Sequence, residues 1–203
     1  MVPAIETGER PAESSEVRPL DGIRVIDFST LLPGPLASLI LSEAGADVVK
    51  IERPGPGDEM RTYEPRIGSQ SANFALLNRG KRSVALDLKE PDDLAAARSL
   101  VLEADVLIEQ FRPGVMARLG LSYAELAEIN PRLIYCSITG YGQTGPKAQV
   151  AAHDLNYVAE AGLLSLAVDR GGTPAMTASP LSAIGGGSYP AFINILLGLA
   201  ARH

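Results

Sequence analysis

LDGIRVIDFSTLLPGPLASLILSEAGADVVKIE, residues 20–52, decides the fold predicted for this chain. A β-branched run at 23–28 predicts a strand, a Pro-Gly-Pro break follows it, and residues 36–44 predict a helix. A second β-branched run at 47–52 predicts another strand. Strand, helix and strand in this order indicate a βαβ unit, in which the two strands lie parallel in one sheet.

The alternation of strands and helices continues along the chain. Residues 83–88, 105–109 and 133–138 predict three more strands, and residues 90–104 predict a helix between the first two of them. The polar segment 58–79 is predicted to be a loop. The expected fold class is therefore α/β, with a Rossmann-like open parallel sheet flanked by helices.

Three further helices are predicted, at 123–129, 155–166 and 191–201. The last is the most apolar segment, and it is shorter than the roughly 20 residues that a bilayer span requires. We therefore expect a buried helix and no membrane association. Residues 1–18 are rich in Glu, Pro and Ser and have no signal-peptide pattern, so we expect a disordered tail and a folded domain over 19–203.

Composition excludes several classes of protein. The 203-residue chain has a net charge of -6 and no strongly basic stretch, which argues against a nucleic-acid partner. Its one cysteine, Cys136, excludes an intrachain disulfide and favours a reducing, cytoplasmic setting. Cys136 lies in an apolar run and is predicted to be a core residue rather than a nucleophile. No His/Cys cluster has metal-ligand spacing, so no metal is expected.

Cations follow several predicted strands, at the sheet edge where active sites of such folds gather. Arg53 follows the second strand, Asp87 and Lys89 follow the third, and Arg112 and Arg118 follow the fourth. Together the four cations could bind a polyanion such as a nucleotide diphosphate. The alternative is that each is a solvated surface charge.

Two glycine clusters and a His-Asp pair are the remaining candidates. The turn Thr139–Pro146 has three glycines in six residues, which allows a backbone to approach a ligand closely. His153 and Asp154 could be a general acid/base pair, or Asp154 could cap the helix that follows.

The second cluster, Gly185, Gly186 and Gly187, precedes the apolar helix. It could present backbone N–H groups to an anion or a thioester oxygen at a helix N-terminus. It could equally be a tight loop.

The order of these motifs resembles the family III CoA-transferase and α-methylacyl-CoA racemase superfamily (CaiB/BaiF-like), from Leu20 to about Arg202. The resemblance is strongest in the segments 32–35, 45–52, 78–83, 111–115, 139–146 and 185–187. Within the superfamily, His153 to Tyr157 look closest to the racemase branch. The resemblance implies the CoA-binding α/β domain of the N-terminal half, without the second domain of the family's C-terminal half.

The resemblance also implies which residues hold coenzyme A. Arg53 matches the residue at the adenine end, and the backbone N–H groups of Gly185 to Gly187 could stabilise the thioester oxyanion. The other matching positions are Leu86, Asp87, Leu88, Lys89, Gln110, Phe111, Arg112, Arg118, Ala152, Asn156 and Tyr157.

Two catalytic roles follow from the resemblance. His153 matches the racemase histidine that exchanges the α-proton of the acyl thioester. Asp154 matches the transferase aspartate, a nucleophile that forms an acyl anhydride and then a CoA thioester. Ala183 stands where racemases place a second carboxylate, and a methyl group cannot accept a proton. This departure disfavours two-base racemisation.

We therefore predict a CoA-thioester enzyme subunit, with acyl-CoA:carboxylate CoA-transfer as the favoured reaction and acyl-CoA and a carboxylic acid as its partners. The first alternative is a 2-methylacyl-CoA racemase or epimerase, and the second is a non-catalytic CoA-binding subunit of a heteromer. The expected assembly is a homodimer, or a heteromer with a chain that supplies the C-terminal half.

Overall fold

The computed structural model describes residues 17–176 and 179–202. Of the predicted disordered tail, all but Val17 and Arg18 lies outside the described residues. The packed domain begins at Leu20, which is buried against the sheet.

The core of the described chain is a five-stranded parallel sheet. Its strands are β1 (Arg24–Asp27), β2 (Asp47–Glu52), β3 (Arg82–Ala85), β4 (Val106–Glu109) and β5 (Ile134–Ser137). They lie in the order β3-β2-β1-β4-β5, so the chain winds outward from β1 in both directions. This is the doubly wound order of Rossmann-like sheets, and it confirms the predicted fold class.

The α-helices are α1 (Pro33–Glu43), α2 (Ala72–Asn78), α3 (Pro91–Leu102), α4 (Val115–Arg118), α5 (Tyr123–Ile129), α6 (Asp154–Glu160) and α7 (Tyr189–Ala201). Both α1 and α3 begin on a proline, which is tolerated there because the first turn of a helix has no acceptor for its N–H. Helix α5 begins at a capping box made by Ser122 and Glu125.

Helices cover both faces of the sheet, because side chains alternate along each strand. Val25 packs on the face covered by α1 and α7, where Leu41 and Ile195 complete a buried cluster. Its neighbour Ile26 packs on the opposite face, against the cluster that includes Val101 of α3. The edge at the carboxyl ends of the strands is where open parallel sheets bind their ligands.

Two expectations about local structure are wrong. The predicted loop 58–79 contains a 3-10 helix at Glu59–Thr62, a short antiparallel hairpin and α2. Helix α2 forms because the Ser71 hydroxyl caps the N–H of Phe74 and the Phe74 ring is buried. The third strand was predicted to reach residue 88, but it ends at Ala85. The backbone N–H of Asp87 instead donates to the Asp93 carboxylate at the start of α3 (2.8 Å).

The predicted helix 155–166 is also interrupted. Helix α6 ends at Glu160, and Gly162 adopts a left-handed φ of 78°. A 3-10 helix, Leu163–Leu166, follows. A left-handed glycine is a common helix stop because it lacks the Cβ that would clash.

The last helix is longer than the sequence indicates. A π-helix, Ser182–Ser188, runs directly into α7. The joined segment, Ser182–Ala201, has 20 residues and could cross a membrane by length and composition alone. This corrects the expectation that the apolar segment is too short. A single helix of this kind is weak evidence for a membrane span, because core helices of soluble proteins look alike.

The expectation of a buried helix holds for one face of α7 only. Ile195 and Leu199 pack against the sheet. On the other face, Tyr189, Ile193 and Leu197 are 50%, 52% and 62% exposed.

Candidate active site at the carboxyl edge of the sheet

A groove of about 390 Å³ opens at the carboxyl ends of β2, β3 and β4. It lies where the strand-end rule places ligands in open parallel sheets. The structure brings six of the predicted CoA-binding residues together in its wall: Arg53, Leu86, Asp87, Leu88, Lys89 and Phe111.

The groove combines apolar walls with exposed cations. Phe28, Ile51 and Leu119 join the predicted residues in the lining, and sequence reasoning did not single them out. Arg53 and Lys89 are exposed. Apolar walls suit an aromatic base and cations suit phosphates, so the groove fits a nucleotide.

Acidic side chains also line the groove, but two of them already have cationic partners. Glu52 accepts two hydrogen bonds from the Arg61 guanidinium (2.6 and 2.7 Å). Burial alone would raise the pKa of Glu52, but the bonds from Arg61, Ser83 and the Asp58 backbone lower it to about 2. The carboxylate of Asp58 pairs with Lys50. These two acids therefore do not cancel the charge of Arg53 and Lys89, whereas Glu59 and Asp87 also line the groove and have no ion pair among the described residues.

A buried charge network supports the loop beside the groove. Lys50 Nζ donates to the backbone oxygen of Ser29 (2.6 Å), and both oxygens of Asp58 accept from the N–H of Leu31 (3.1 and 3.2 Å). Leu31 has a left-handed φ of 61°, which is uncommon for a side chain of this size. The network holds this strained residue in place, at the loop that contributes Thr30 to the groove.

The network extends to a second buried pair, Asp27 and Lys81, 3.5 Å apart. Burial lowers the pKa of Lys81 to about 8, although Asp27 opposes this. Burial would raise the pKa of Asp27, but Lys50, Lys81 and two serine hydroxyls outweigh it and the pKa falls. Sequence reasoning missed this network, although a charged residue inside an apolar strand, such as Asp27 or Lys50, was its signal.

The side-chain amide of Gln110 is engaged in hydrogen bonds within the protein. Its Nε2 donates to the backbone oxygen of Thr30 (2.7 Å), and its Oε1 accepts from the N–H of Gly34 (3.1 Å). Gly34 must be glycine here, because a Cβ would lie 2.1 Å from the Ser29 hydroxyl. Gln110 thus fixes the loop that leads into α1.

Arg112 lies in a second groove, of about 380 Å³, between the ends of β4 and β5. Glu109 and Tyr135 also line this groove. Burial raises the pKa of Glu109, although bonds from Ser137 and from the N–H of Phe111 oppose the shift. Arg112 and Arg53 therefore line different grooves. Arg118 is exposed and is not among the described lining residues of either groove.

Asp154 is held by the glycine-containing π-helix. Its Oδ1 accepts two hydrogen bonds, from the Ser182 hydroxyl and from the N–H of Ala183, each 2.7 Å long. His153, not Asp154, occupies the N-cap position of α6. The side chain of Asp154 therefore does not cap its own helix. It accepts a hydrogen bond from Ser182, which lies 28 positions later in the sequence. Sequence reasoning did not identify Ser182, which carried no local signal.

The remaining residues of the predicted 152–157 segment form the start of α6. His153 is exposed, and its backbone N–H donates to Asn156 Oδ1 (2.9 Å). Tyr157 donates its hydroxyl to the backbone oxygen of Ala152 (3.2 Å). A Cβ at Gly140 would lie 2.0 Å from the Tyr157 hydroxyl, so the glycine turn is packed directly on this helix.

The three glycines near Asp154 have different surroundings. They lie in the π-helix, in which backbone N–H groups bond carbonyls five residues earlier, and not in a loop. A Cβ at Gly185 or Gly186 would meet nothing within 4 Å, but one at Gly187 would lie 3.3 Å from Pro33. Of these three glycines, only Gly187 has a neighbour among the described residues that a side chain would have to shift.

Cys136 is half-buried and packs against the cluster on the face of the sheet covered by α1 and α7. Burial, with help from the Glu109 carboxylate, raises its pKa to about 11. The thiol is protonated at neutral pH, as expected for a core cysteine. Among the described residues, no group of three or more His, Cys, Asp or Glu is placed to hold a metal ion.

The family model for CoA-transferase family III matches residues 20–203. The chain belongs to this family. It is 47% identical over 186 residues to the acetyl-CoA:oxalate CoA-transferase of Acetobacter aceti. The match covers 91% of this chain and 48% of that relative. The chain is 39% identical over 183 residues to the α-methylacyl-CoA racemase of Mus musculus, covering 90% and 44%.

A solved structure of a CAIB/BAIF family protein from Brucella suis has the same fold. It superposes with a TM-score of 0.87 at 37% sequence identity, over 92% of this chain and 50% of that protein. This family III chain thus spans about half the length of the relatives that it matches.

Proposed function

We propose that this family III chain carries the active site of a CoA-transferase, with Asp154 as nucleophile and the first groove as the CoA site. The observation that carries the proposal is the position of the Asp154 carboxylate. Two donors hold its Oδ1, and within the described residues no hydrogen bond reaches Oδ2. A carboxylate fixed at one oxygen and open at the other is suited to nucleophilic attack.

The proposed reaction has two half-reactions. Asp154 Oδ2 attacks the thioester carbonyl of acyl-CoA, the C–S bond breaks, and CoA leaves as the thiolate, which yields an acyl-aspartyl anhydride. The thiolate then attacks the aspartyl carbonyl carbon, which releases the first carboxylate and leaves an aspartyl-CoA thioester. The acceptor carboxylate reverses these steps, and Asp154 is regenerated.

The first groove supports the proposed CoA site through its chemistry. Arg53 and Lys89 would face the phosphates, and the apolar wall that includes Phe111 would contact the adenine ring. The loop from Thr30 to Gly34 connects the groove to the nucleophile. Thr30 lines the groove, and Pro33 lies against Gly187 of the π-helix that holds Asp154.

CoA transfer between acetyl-CoA and oxalate, followed by chromatography of the thioesters, tests the proposal. The similarity to an oxalate CoA-transferase makes this the first pair to assay, with glutarate and succinate as further acceptors. Asp154→Ala is expected to abolish transfer, and wild-type protein mixed with acyl-CoA is expected to show a CoA adduct on the peptide containing Asp154. Transfer that continues in Asp154→Ala would refute the role of this residue.

Racemisation is the second candidate, because the chain is 39% identical to an α-methylacyl-CoA racemase and has His153. Against it, Ala183 offers Asp154 a backbone N–H and no second base. Deuterium incorporation from D2O at the α-carbon of a 2-methylacyl-CoA would favour racemisation over transfer.

We further propose that the protein acts as a homodimer or together with a second chain. The exposed apolar residues Tyr189, Ile193 and Leu197 support this, because they recur every fourth residue and form one stripe on α7. Light scattering on the purified protein measures the assembly. A monomer at assay concentration with full turnover would exclude a required partner.

A further inference from the structure

We propose that the Ser182 hydroxyl and the Ala183 N–H form an oxyanion hole for Oδ1 of Asp154, which makes Ser182 a catalytic residue. The inference rests on the proposed role of Asp154 as nucleophile. It adds the group that stabilises the charge on the aspartyl carbonyl when CoA attacks it.

The geometry is that of an oxyanion hole. Both donors lie 2.7 Å from the same oxygen, at the short end of the roughly 2.7–3.1 Å range that such donors occupy. The Ser182 hydroxyl also lies 3.0 Å from the backbone oxygen of Asp154, but its single proton is best placed for the closer Oδ1.

The donors are available because of where they lie in the helix. Ser182 and Ala183 are the first two residues of the π-helix. The N–H groups at the start of a helix have no carbonyl partner inside it, so the N–H of Ala183 is free to bond Asp154. The hydroxyl of Ser182 adds a second donor beside it.

The charge on Oδ1 changes during the reaction in a way that uses these donors. In the anhydride, Oδ1 is a neutral carbonyl oxygen. When the CoA thiolate forms a C–S bond to the aspartyl carbon, the π electron pair moves onto Oδ1 and gives it a full negative charge. The pair returns as the anhydride C–O bond breaks and the carboxylate leaves. Donors already in place stabilise the intermediate without reorganisation.

This role predicts a specific defect. Without the hydroxyl, the anhydride still forms, but its conversion to aspartyl-CoA is slow. The anhydride then has time to react with water, which releases the acid and leaves CoA free. Hydrolysis therefore rises relative to transfer, whereas a purely structural role of Ser182 would lower both together.

The test compares Ser182→Ala and Ser182→Thr with wild-type protein in the transfer assay, with free CoA measured by a thiol reagent. For Ser182→Ala we expect the kcat of transfer to fall about 100-fold, the KM for acyl-CoA to stay within about 2-fold, and free CoA per transfer to rise. Threonine keeps the hydroxyl and is expected to restore transfer to within about 10-fold of wild type.

Two further variants separate the possible failures. Ser165→Ala is a matched control, because this exposed hydroxyl bonds only the nearby backbone oxygen of Gly162 among the described residues. Transfer that persists in Asp154→Ala would overturn the proposed function itself. Unchanged kcat in Ser182→Ala, or an unchanged ratio of hydrolysis to transfer, with an inactive Asp154→Ala would overturn only the oxyanion hole. Urea unfolding of each variant excludes misfolding as the cause.

Discussion

Lys50 Nζ lies 2.9 Å from Asp58 Oδ2, and the two side chains are only 1% and 0% exposed. The pair joins strand β2 to Asp58, which lines the groove, and Asp58 also accepts from the N–H of the strained Leu31. An ion pair without solvent depends on both partners, because removal of one leaves the other as a buried charge.

Lys50→Met is therefore expected to lower the free energy of unfolding by about 3–5 kcal/mol, because Asp58 remains buried and unpaired. Urea denaturation measures the change. Lys147→Met is the matched control, since its pair with Glu160 has side chains 54% and 44% exposed and should contribute little to stability. Equal losses in the two variants would contradict a special role for burial.

Arg53→Ala is expected to weaken the binding of free CoA at least about 10-fold, because it removes a cation from the groove. Isothermal titration calorimetry measures the affinity. Arg24→Ala is the control, because Arg24 is an exposed, ion-paired residue at the opposite end of β1. An equal loss in Arg24→Ala would indicate a general charge effect and not a site.

Arg112→Ala tests how far the ligand extends. Arg112 lines the second groove, apart from Arg53. We expect a loss of CoA affinity here as well, because a molecule as long as CoA can contact both grooves. Full affinity in Arg112→Ala, measured by the same calorimetry, would confine CoA to the first groove.

Gly186→Ala and Gly187→Ala are expected to differ in stability. A Cβ at Gly186 meets open space, so the substitution should leave stability unchanged or raise it by up to about 1 kcal/mol. A Cβ at Gly187 must displace Pro33, which lies 3.3 Å away, so thermal unfolding should occur at a lower temperature. A loss of transfer in a stable Gly186→Ala would show that a ligand or partner needs the open surface. Equal melting temperatures would contradict the packing role of Gly187.

Because of Lys81, the free energy of unfolding is expected to change with pH in the alkaline range. Its pKa is lowered from 10.5 to about 8 in the folded chain, so between these values the unfolded chain binds more protons. The free energy of unfolding attributable to Lys81 therefore rises from about pH 8 to pH 10.5. Urea titrations of wild type and Lys81→Met across this range measure it as a difference. Parallel pH profiles would contradict a lowered pKa.

Local sequence patterns were enough to predict the strands of the sheet. The β-branched runs place all five strands to within a few residues, because such side chains fit a pleated, buried surface. The strand-end rule anticipated that Arg53, Asp87 and Lys89 share one groove, since parallel strands deliver their carboxyl ends to one edge, and the resemblance added Leu86, Leu88 and Phe111. The prediction of a loop at 58–79 was wrong, because α2 depends on a buried Phe74 and not on a long amphipathic pattern.

The sequence by itself determined the α/β class, the strand positions and the motifs that carry the resemblance to the family. The tertiary structure alone decided that Gln110 braces the loop at Thr30, that Arg112 and Arg53 line different grooves, and that Ser182 holds Asp154. Propensity and periodicity act between near neighbours along the chain. A hydrogen bond between residues 28 positions apart forms only once packing against the sheet brings the two segments together.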